Sequence, residues 1–322
     1  MNHKPVLHTF KDDRGKERKE YVLSRDGALE PPTVDPRFLR MLDDVGERIA
    51  IIRDGHLGDI IMMTPALREF HSQYPAIQAN VFTDASYTRV LEHNSNIEGV
   101  YPLSEYERKD FIFTIDLRRY VENHEHTWEK DRISLFGEGL GVQVQDGKTE
   151  FVVTEDDREE AQRTLSGIEQ IQEFGQFAVI APDASDTRRE LSDECVWELE
   201  ELFPRADYAT YVTGSRRGYL PSLGALAGIL ELADYIITVD NGVCHLAAAL
   251  KRPCLSVFTT IPPVLRVFWY PYCDPLVADV ECAPCCEDEA PGCKHECKSS
   301  ITAKQIWGVM PKTSGELRLF SE

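Results

Sequence analysis

Arg48-Ile49-Ala50-Ile51-Ile52 is the first strongly apolar run of the chain, and it does not alternate. A strand that is apolar at successive positions is covered on both faces, so this run predicts the central strand of a parallel sheet. It is followed by Arg53-Asp54-Gly55-His56-Leu57-Gly58-Asp59 and then by Ile60, Met63, Leu67, Phe70 and Tyr74, a three-and-four spacing that marks one helix face. Pro65 inside that stretch predicts either a kink or a regular helix that begins near Thr64. Val81-Phe82, Val100-Tyr101 and Phe111 to Ile115 read as further strands, with helical material from Tyr87 to His93.

The same pattern restarts after Val152. An acidic amphipathic helix is expected from Glu155 to Ile171, a strand over Phe177 to Ala181, and a helix from Asp193 to Phe203. Tyr208 to Val212, Tyr235 to Val239 and Pro253 to Phe258 are the later strands. Strands alternating with helices predict an α/β protein with parallel sheets. The reading is one of three parts. Residues 1–45 form an N-terminal extension with a hairpin, Tyr21-Val22-Leu23 returning on His8-Thr9-Phe10 around Asp13-Arg14-Gly15, followed by the loop Glu30 to Thr33 and packed on the first domain. Residues 46–152 form a first Rossmann-like domain and 153–322 a second, joined near 146–154.

Charge narrows the partners. The chain has 322 residues, with 35 Lys plus Arg against 55 Asp plus Glu, a formal net charge of -20. A general nucleic-acid binder or a binder of anionic membranes needs the opposite field. The nine cysteines are uneven: Cys195, Cys244, Cys254 and Cys273 are scattered, whereas Cys282, Cys285, Cys286, Cys293 and Cys297 crowd sixteen residues. An odd count with one late cluster does not fit a secreted disulfide framework. With no apolar leader at the first residues and no apolar run long enough to span a bilayer, the expectation is a soluble cytoplasmic protein.

The most informative segment is Ala233 to Leu250. An apolar strand ends in Asp240, turns through Asn241-Gly242 and enters an alanine-rich helix at Val243. Free N–H groups in such a first turn make an anion site at the carboxyl edge of a parallel sheet. The same pattern also describes an N-capping Asp or Asn before an ordinary core helix. Asp116 and Arg118 follow the strand ending at Ile115 and read either as acceptor contacts or as a strand-end salt bridge. His124, His126, Trp128 and Arg132 read as surface-loop residues sooner than as lining of a site, and Arg266 follows the last strand. Cys282, Cys285, Cys293 and Cys297, spaced C-x2-C-x7-C-x3-C, could hold structural zinc or iron tetrahedrally or be reduced thiols in an irregular loop.

Leu57-Gly58-Asp59 with Thr64-Pro65-Ala66-Leu67, and Val239-Asp240-Asn241-Gly242 with His245-Leu246-Ala247-Ala248-Ala249-Leu250, resemble glycosyltransferase family 9, the heptosyltransferase family. Ile115-Asp116-Leu117-Arg118 and Cys282-Ala283-Pro284-Cys285 with His295 and Cys297 extend the resemblance over about four fifths of the chain. It implies a GT-B fold, two Rossmann-like domains facing across a cleft, with acceptor held mainly by the first and nucleotide sugar by the second. It implies Asp59 as general base, Asp240 as the acid that contacts the donor sugar, and the amides of Asn241, Gly242 and Val243 as a diphosphate cradle, with His245, Arg188 and Arg189 on the donor side. Arg53, His56, Gly58, Asp116 and Arg118 fall on the acceptor side. The implied activity is an inverting, metal-independent transfer of a sugar, by resemblance a heptose from ADP-heptose, to a hydroxyl of a glycan, with no cofactor required for catalysis. The alternatives are a protein or nucleobase glycosyltransferase of the same fold, or a non-catalytic nucleotide-sugar-binding module. The chain departs from the family's usual residues at 53–56, 182–190, 215–221 and 258–261.

Overall fold

In the computed structural model the described residues are 6–11, 17–22, 34–124, 127–167, 174–214, 220–285 and 294–310. The chain divides into two compact units, Met1–Val152 and Val153–Glu322.

The first unit begins with an antiparallel pair, β1 (Val6–Lys11) and β2 (Glu17–Val22), in the register Val6 to Val22 and Lys11 to Glu17. The turn between them, Leu23 and the loop Glu30 to Thr33 lie outside the described residues. A short helix, α1 (Pro36–Asp43), follows, its start fixed by Asp35, whose carboxylate accepts the Arg37 N–H at 2.9 Å. Leu39 and Leu42 are buried, and the Phe38 ring meets Phe113 edge-on at 5.0 Å. At eight residues the amphipathic pattern is too short to stand out of a polar stretch, and the sequence reading placed no element there.

The sheet of this unit is β5 (Gly99–Pro102), β4 (Gln78–Thr83), β3 (Arg48–Ile52) and β6 (Phe113–Asp116), in that order and parallel throughout. Strand β3 is interior, as its unalternating apolar run predicted, and Ile49, Ala50 and Ile51 are fully buried. The chain runs from β3 outward through β4 to β5 and then returns to the other side of β3 for β6. The order therefore reverses between β3 and β6, and the loops after these two strands flank the point where open α/β sheets bind ligands. Helix α2 (Leu57–Gln73) runs straight through Pro65. The proline removes the N–H that would reach the Ile61 carbonyl, and the Thr64 hydroxyl donates to that same carbonyl at 2.7 Å. The helix thus starts seven residues before Thr64. Tyr87 lies in a 3₁₀ turn, Ala85–Val90, instead of an α-helix. Helices α3 (Tyr120–Asn123) and α4 (Arg132–Leu140) complete the unit.

The second unit opens with α5 (Glu155–Leu165), whose Thr154 and Asp157 cap each other; residues 168–171 of the longer predicted helix lie outside the described residues. Its sheet is β11 (Cys273–Val277), β10 (Cys254–Phe258), β9 (Tyr235–Val239), β7 (Gln176–Ala181) and β8 (Tyr208–Val212), again all parallel. Helices α6 (Asp193–Arg205), α7 (Leu223–Leu232), α8 (Gly242–Ala249), α9 (Val264–Val267), α10 (Glu296–Ser299) and α11 (Ala303–Val309) connect and cover it. Here the order reverses between β7 and β9, so the loops after Ala181 and after Val239 flank the second switch point. Among the described residues no helix is long and apolar enough to cross a membrane.

Candidate functional site

Each unit carries a cluster of charged side chains at the carboxyl edge of its sheet. In the first unit Arg53 continues straight off β3 and is almost wholly enclosed, at 2% exposure. Its guanidinium donates to Glu122 Oε1 at 2.8 Å and Oε2 at 3.1 Å and to the Leu117 carbonyl at 3.0 Å, and it stacks over the Phe136 ring. Asp59, in the first turn of α2, lies 3.4 Å from Arg53 and is also paired with Arg132 from the start of α4. Arg132 reaches Glu122 at 3.6 Å, which closes a ring of two acids and two guanidiniums. Burial works against the Arg53 charge, and Glu122 and Asp59 outweigh it, so the guanidinium is held above its ordinary value. Burial likewise works to raise the Glu122 carboxyl, and Arg53 overrides it, holding that group below the usual carboxylate range.

The turn that makes this ring is tight. Gly55 has φ of +131°, and a Cβ there would lie 3.1 Å from Asp59 Oδ2 and 3.2 Å from Arg53 Nη2, so only glycine fits. The His56 N–H donates to Asp59 Oδ2 at 3.2 Å, its side chain is exposed, and Gly58 is buried in the same first turn. Asp116, at the end of β6, binds Arg118 through both oxygens at 3.0 and 3.1 Å, and both side chains are exposed. The expected acceptor-side residues thus divide into a buried ring around Asp59 and an exposed pair beside it. Glu122 carried no local signal, and Arg132 was read as a surface-loop residue; the fold brings both to Asp59.

In the second unit Asp240 ends β9 at 3% exposure. Arg189 Nη1 donates to its Oδ2 at 3.1 Å, and Arg266 Nε lies 3.8 Å from its Oδ1. Arg188 points elsewhere, clamping Asp186 at 2.9 and 3.0 Å. Asn241 is the helix cap: its Oδ1 accepts the Val243 and Cys244 N–H groups at 2.9 and 3.2 Å, and its Nδ2 donates to the Asp183 carbonyl at 2.8 Å. The Val243 amide expected in an anion cradle is therefore engaged within the cap. His245 is buried, with Nδ1 2.8 Å from the Tyr270 hydroxyl. Two expected donor residues, Arg189 and Asp240, thus converge, while Arg188 and His245 are engaged with protein partners.

Six of the thirteen buried polar atoms without a hydrogen-bond partner among the described residues belong to these edges: Arg53 Nε, Arg132 Nε and Thr83 Oγ1 in the first unit, and Arg189 Nε, Thr213 Oγ1 and Thr260 Oγ1 in the second. Thr83, Thr213 and Thr260 each lie at or just beyond the end of a strand, on the ligand side of the sheet. Unsatisfied donors are costly in a folded interior, and those on the ligand side of the sheet fit an oxygen-rich ligand.

The expected late-cysteine site falls partly outside the described residues. Cys293 lies outside the described residues. Of its three companions, Cys297 is buried in the core with Leu191, Ile301 and Ile306, Cys282 is exposed and Cys285 is half-buried. Among the described residues, the group with metal-ligand spacing is instead Cys244, Cys254 and Cys273, drawn from the scattered set.

Two parallel-sheet α/β units, each with its polar cluster at the switch point, define a protein of the GT-B class. Residues 221–295, which contain the Asp240 turn, match the sequence model of Glycosyltransferase family 9 (heptosyltransferase). The fold is similar to that of the glycosyl transferase family 9 protein from Veillonella parvula DSM 2008, at TM-score 0.63 and 16% identity over 81% of this chain and 95% of that one. It is also similar to the iron-containing dodecameric glycosyltransferase TibC from enterotoxigenic E. coli H10407, at 0.62 and 15% over 81% and 74%. E. coli heptosyltransferase WaaC, solved with ADP-2-deoxy-2-fluoro heptose, matches at 0.55 and 16% over 81% and 98%. No curated protein matches the sequence. The chain is accordingly similar in fold to heptosyltransferases, and its second unit carries a segment that matches the family 9 model.

Proposed function

We propose that the protein moves a sugar from a nucleotide diphosphate donor to a hydroxyl of a glycan acceptor, with inversion and without a divalent ion in the chemical step. The observation that carries this reading is Asp240 with Arg189 and Arg266, at a sheet switch point inside the segment that matches the family. The guanidiniums gathered there suit a diphosphate, and Asp240 offers oxygens to sugar hydroxyls. Arg189 Nε, Thr213 and Thr260 add donors with no protein partner. WaaC was solved with an ADP-linked heptose analogue, and ADP-heptose is therefore the first donor to try.

Asp59 is the candidate base on the acceptor side. An inverting transfer needs a carboxylate to take the hydroxyl proton as the diphosphate leaves from the opposite face of an oxocarbenium-like centre. In the ring described above Arg132 pairs with the Asp59 oxygen that would take the proton, so the acceptor must draw Arg132 aside; Arg132 is the more exposed of the two guanidiniums, at 18% against 2%. The same closed ring also favours a second reading, a nucleotide-sugar-binding module without turnover. All the described cysteines are free thiols, which suits a reducing cytoplasmic setting.

A thermal-shift scan of nucleotide sugars tests the donor site, with a rise in melting temperature expected for ADP-heptose above that for ADP. Indifference to every nucleotide sugar would remove the donor assignment. Stabilisation without transfer to any hydroxyl acceptor would leave the binding-module reading.

A further inference from the structure

Cys254 and Cys273 stand opposite each other in the parallel ladder of β10 and β11, so their side chains leave the sheet on the same face. That face is covered by α8, whose first turn brings Cys244 down onto the pair, with 3.9 Å between the sulfurs of Cys244 and Cys273. One sulfur from each of the three lies within 4.8 Å of the others, and all three residues are buried. Sulfurs bound to a zinc-class ion at about 2.3 Å would sit about 3.8 Å apart in a tetrahedron and about 4.0 Å apart in a trigonal plane. The Cys244–Cys273 spacing falls in that range, and the other two sulfur spacings lie within 4.8 Å.

A second, independent observation points into the same place. Ser256, two residues along β10 from Cys254 and therefore on the same face, is fully enclosed, and its hydroxyl has no hydrogen-bond partner. It lies beside the Cys244 thiol. Three soft sulfurs and one idle oxygen, drawn from two strands and a helix, make the donor set of a closed four-coordinate site.

We propose that Cys244, Cys254 and Cys273 bind one thiophilic d10 metal ion, zinc in the first instance, with Ser256 Oγ as the fourth donor. Thiolates select zinc or copper(I) over harder ions, and four protein donors leave no open position, so the role is structural. Each thiol gives up its proton to solvent as its sulfur binds, and affinity falls as pH is lowered. The ion would tie the edge strand β11 to β10 and fix the first turn of α8, four residues beyond Asp240. The site stands apart from the late cysteines and does not depend on what the second unit binds.

Zinc is measured by elemental analysis on the reduced full-length chain, reconstituted with zinc and desalted. Cys254→Ser and Cys273→Ser should each hold one equivalent less than the wild type, whatever Cys282, Cys285, Cys293 and Cys297 contribute. Cys195→Ser, which removes a buried thiol elsewhere in the core, should hold as much as the wild type. Equal zinc in the wild type and both trio variants overturns the proposal, as does an equal loss in Cys195→Ser. Should the trio variants fail to fold, crystals of the wild type grown with zinc answer the same question by anomalous scattering. A peak between the three sulfurs supports the site, and an empty position there overturns it.

Discussion

Asp59 and Asp240 occupy corresponding places, each at the carboxyl edge of a parallel sheet beside a glycine-containing turn and each between two arginines, yet their surroundings differ in charge. Around Asp59 the two guanidiniums are matched by two carboxylates, because Glu122 joins the ring. Around Asp240 the described ion pairs are those with two guanidiniums, Arg189 and Arg266. A ring in which carboxylates alternate with guanidiniums suits a neutral hydroxyl and a proton transfer, whereas guanidiniums gathered on one carboxylate suit an anion.

The largest effect that would sharpen this contrast is on turnover. Asp59→Asn should reduce the rate of transfer by about 10²-fold to 10⁴-fold, the range for loss of a general base, with donor affinity unchanged. Near-normal rates in a transfer assay would take Asp59 out of the chemistry and reduce the first site to a structural ring.

Next comes stability. Arg53 and Asp59 are both buried, so Arg53→Met leaves a buried carboxylate short of a partner and should cost about 3 kcal/mol in denaturant unfolding. Arg189 is less enclosed, and Arg189→Met should cost about 1 kcal/mol while weakening donor binding. Equal stability losses would erase the distinction between a closed and an open site.

At the donor site Asp240→Ala should lower affinity for the nucleotide sugar about tenfold, or about 1.4 kcal/mol. Calorimetry with the bare nucleotide diphosphate should show affinity at or above that of the wild type, because Arg189 and Arg266 are released. Parallel losses for both ligands would show that Asp240 only holds the turn together.

The smallest effect is on acid unfolding. Glu122 is held below the ordinary carboxylate range, so its contribution is full above an unfolded value of about 4.3 and is lost as pH falls through the lower folded value. Glu122→Gln should lower the stability of the first unit at neutral pH and flatten its fall in that acid window. An unaltered profile would mean that Glu122 does not carry the charge balance assigned to it.

What the sequence by itself determined is the local grammar. Unalternating apolar runs gave the buried strands, a three-and-four spacing gave α2, and each strand, turn and helix succession placed Asp59 and Asp240 at a ligand edge, because these periods depend only on neighbouring residues. It could also name Arg188 and Arg189, but not choose between them. Tertiary structure decided that Arg189 meets Asp240 across 51 residues, that Glu122 meets Arg53 across 69, and that Cys244 meets Cys273 across 29. Those pairings depend on strand register and on which helix covers which face, and a slip of one residue in the ladder would turn Cys273 to the opposite side of the sheet. Sequence spacing favoured the crowded late cysteines for a metal. The fold gathered the scattered ones, because ligand distance is set by the packing of β10, β11 and α8 and is indifferent to separation along the chain.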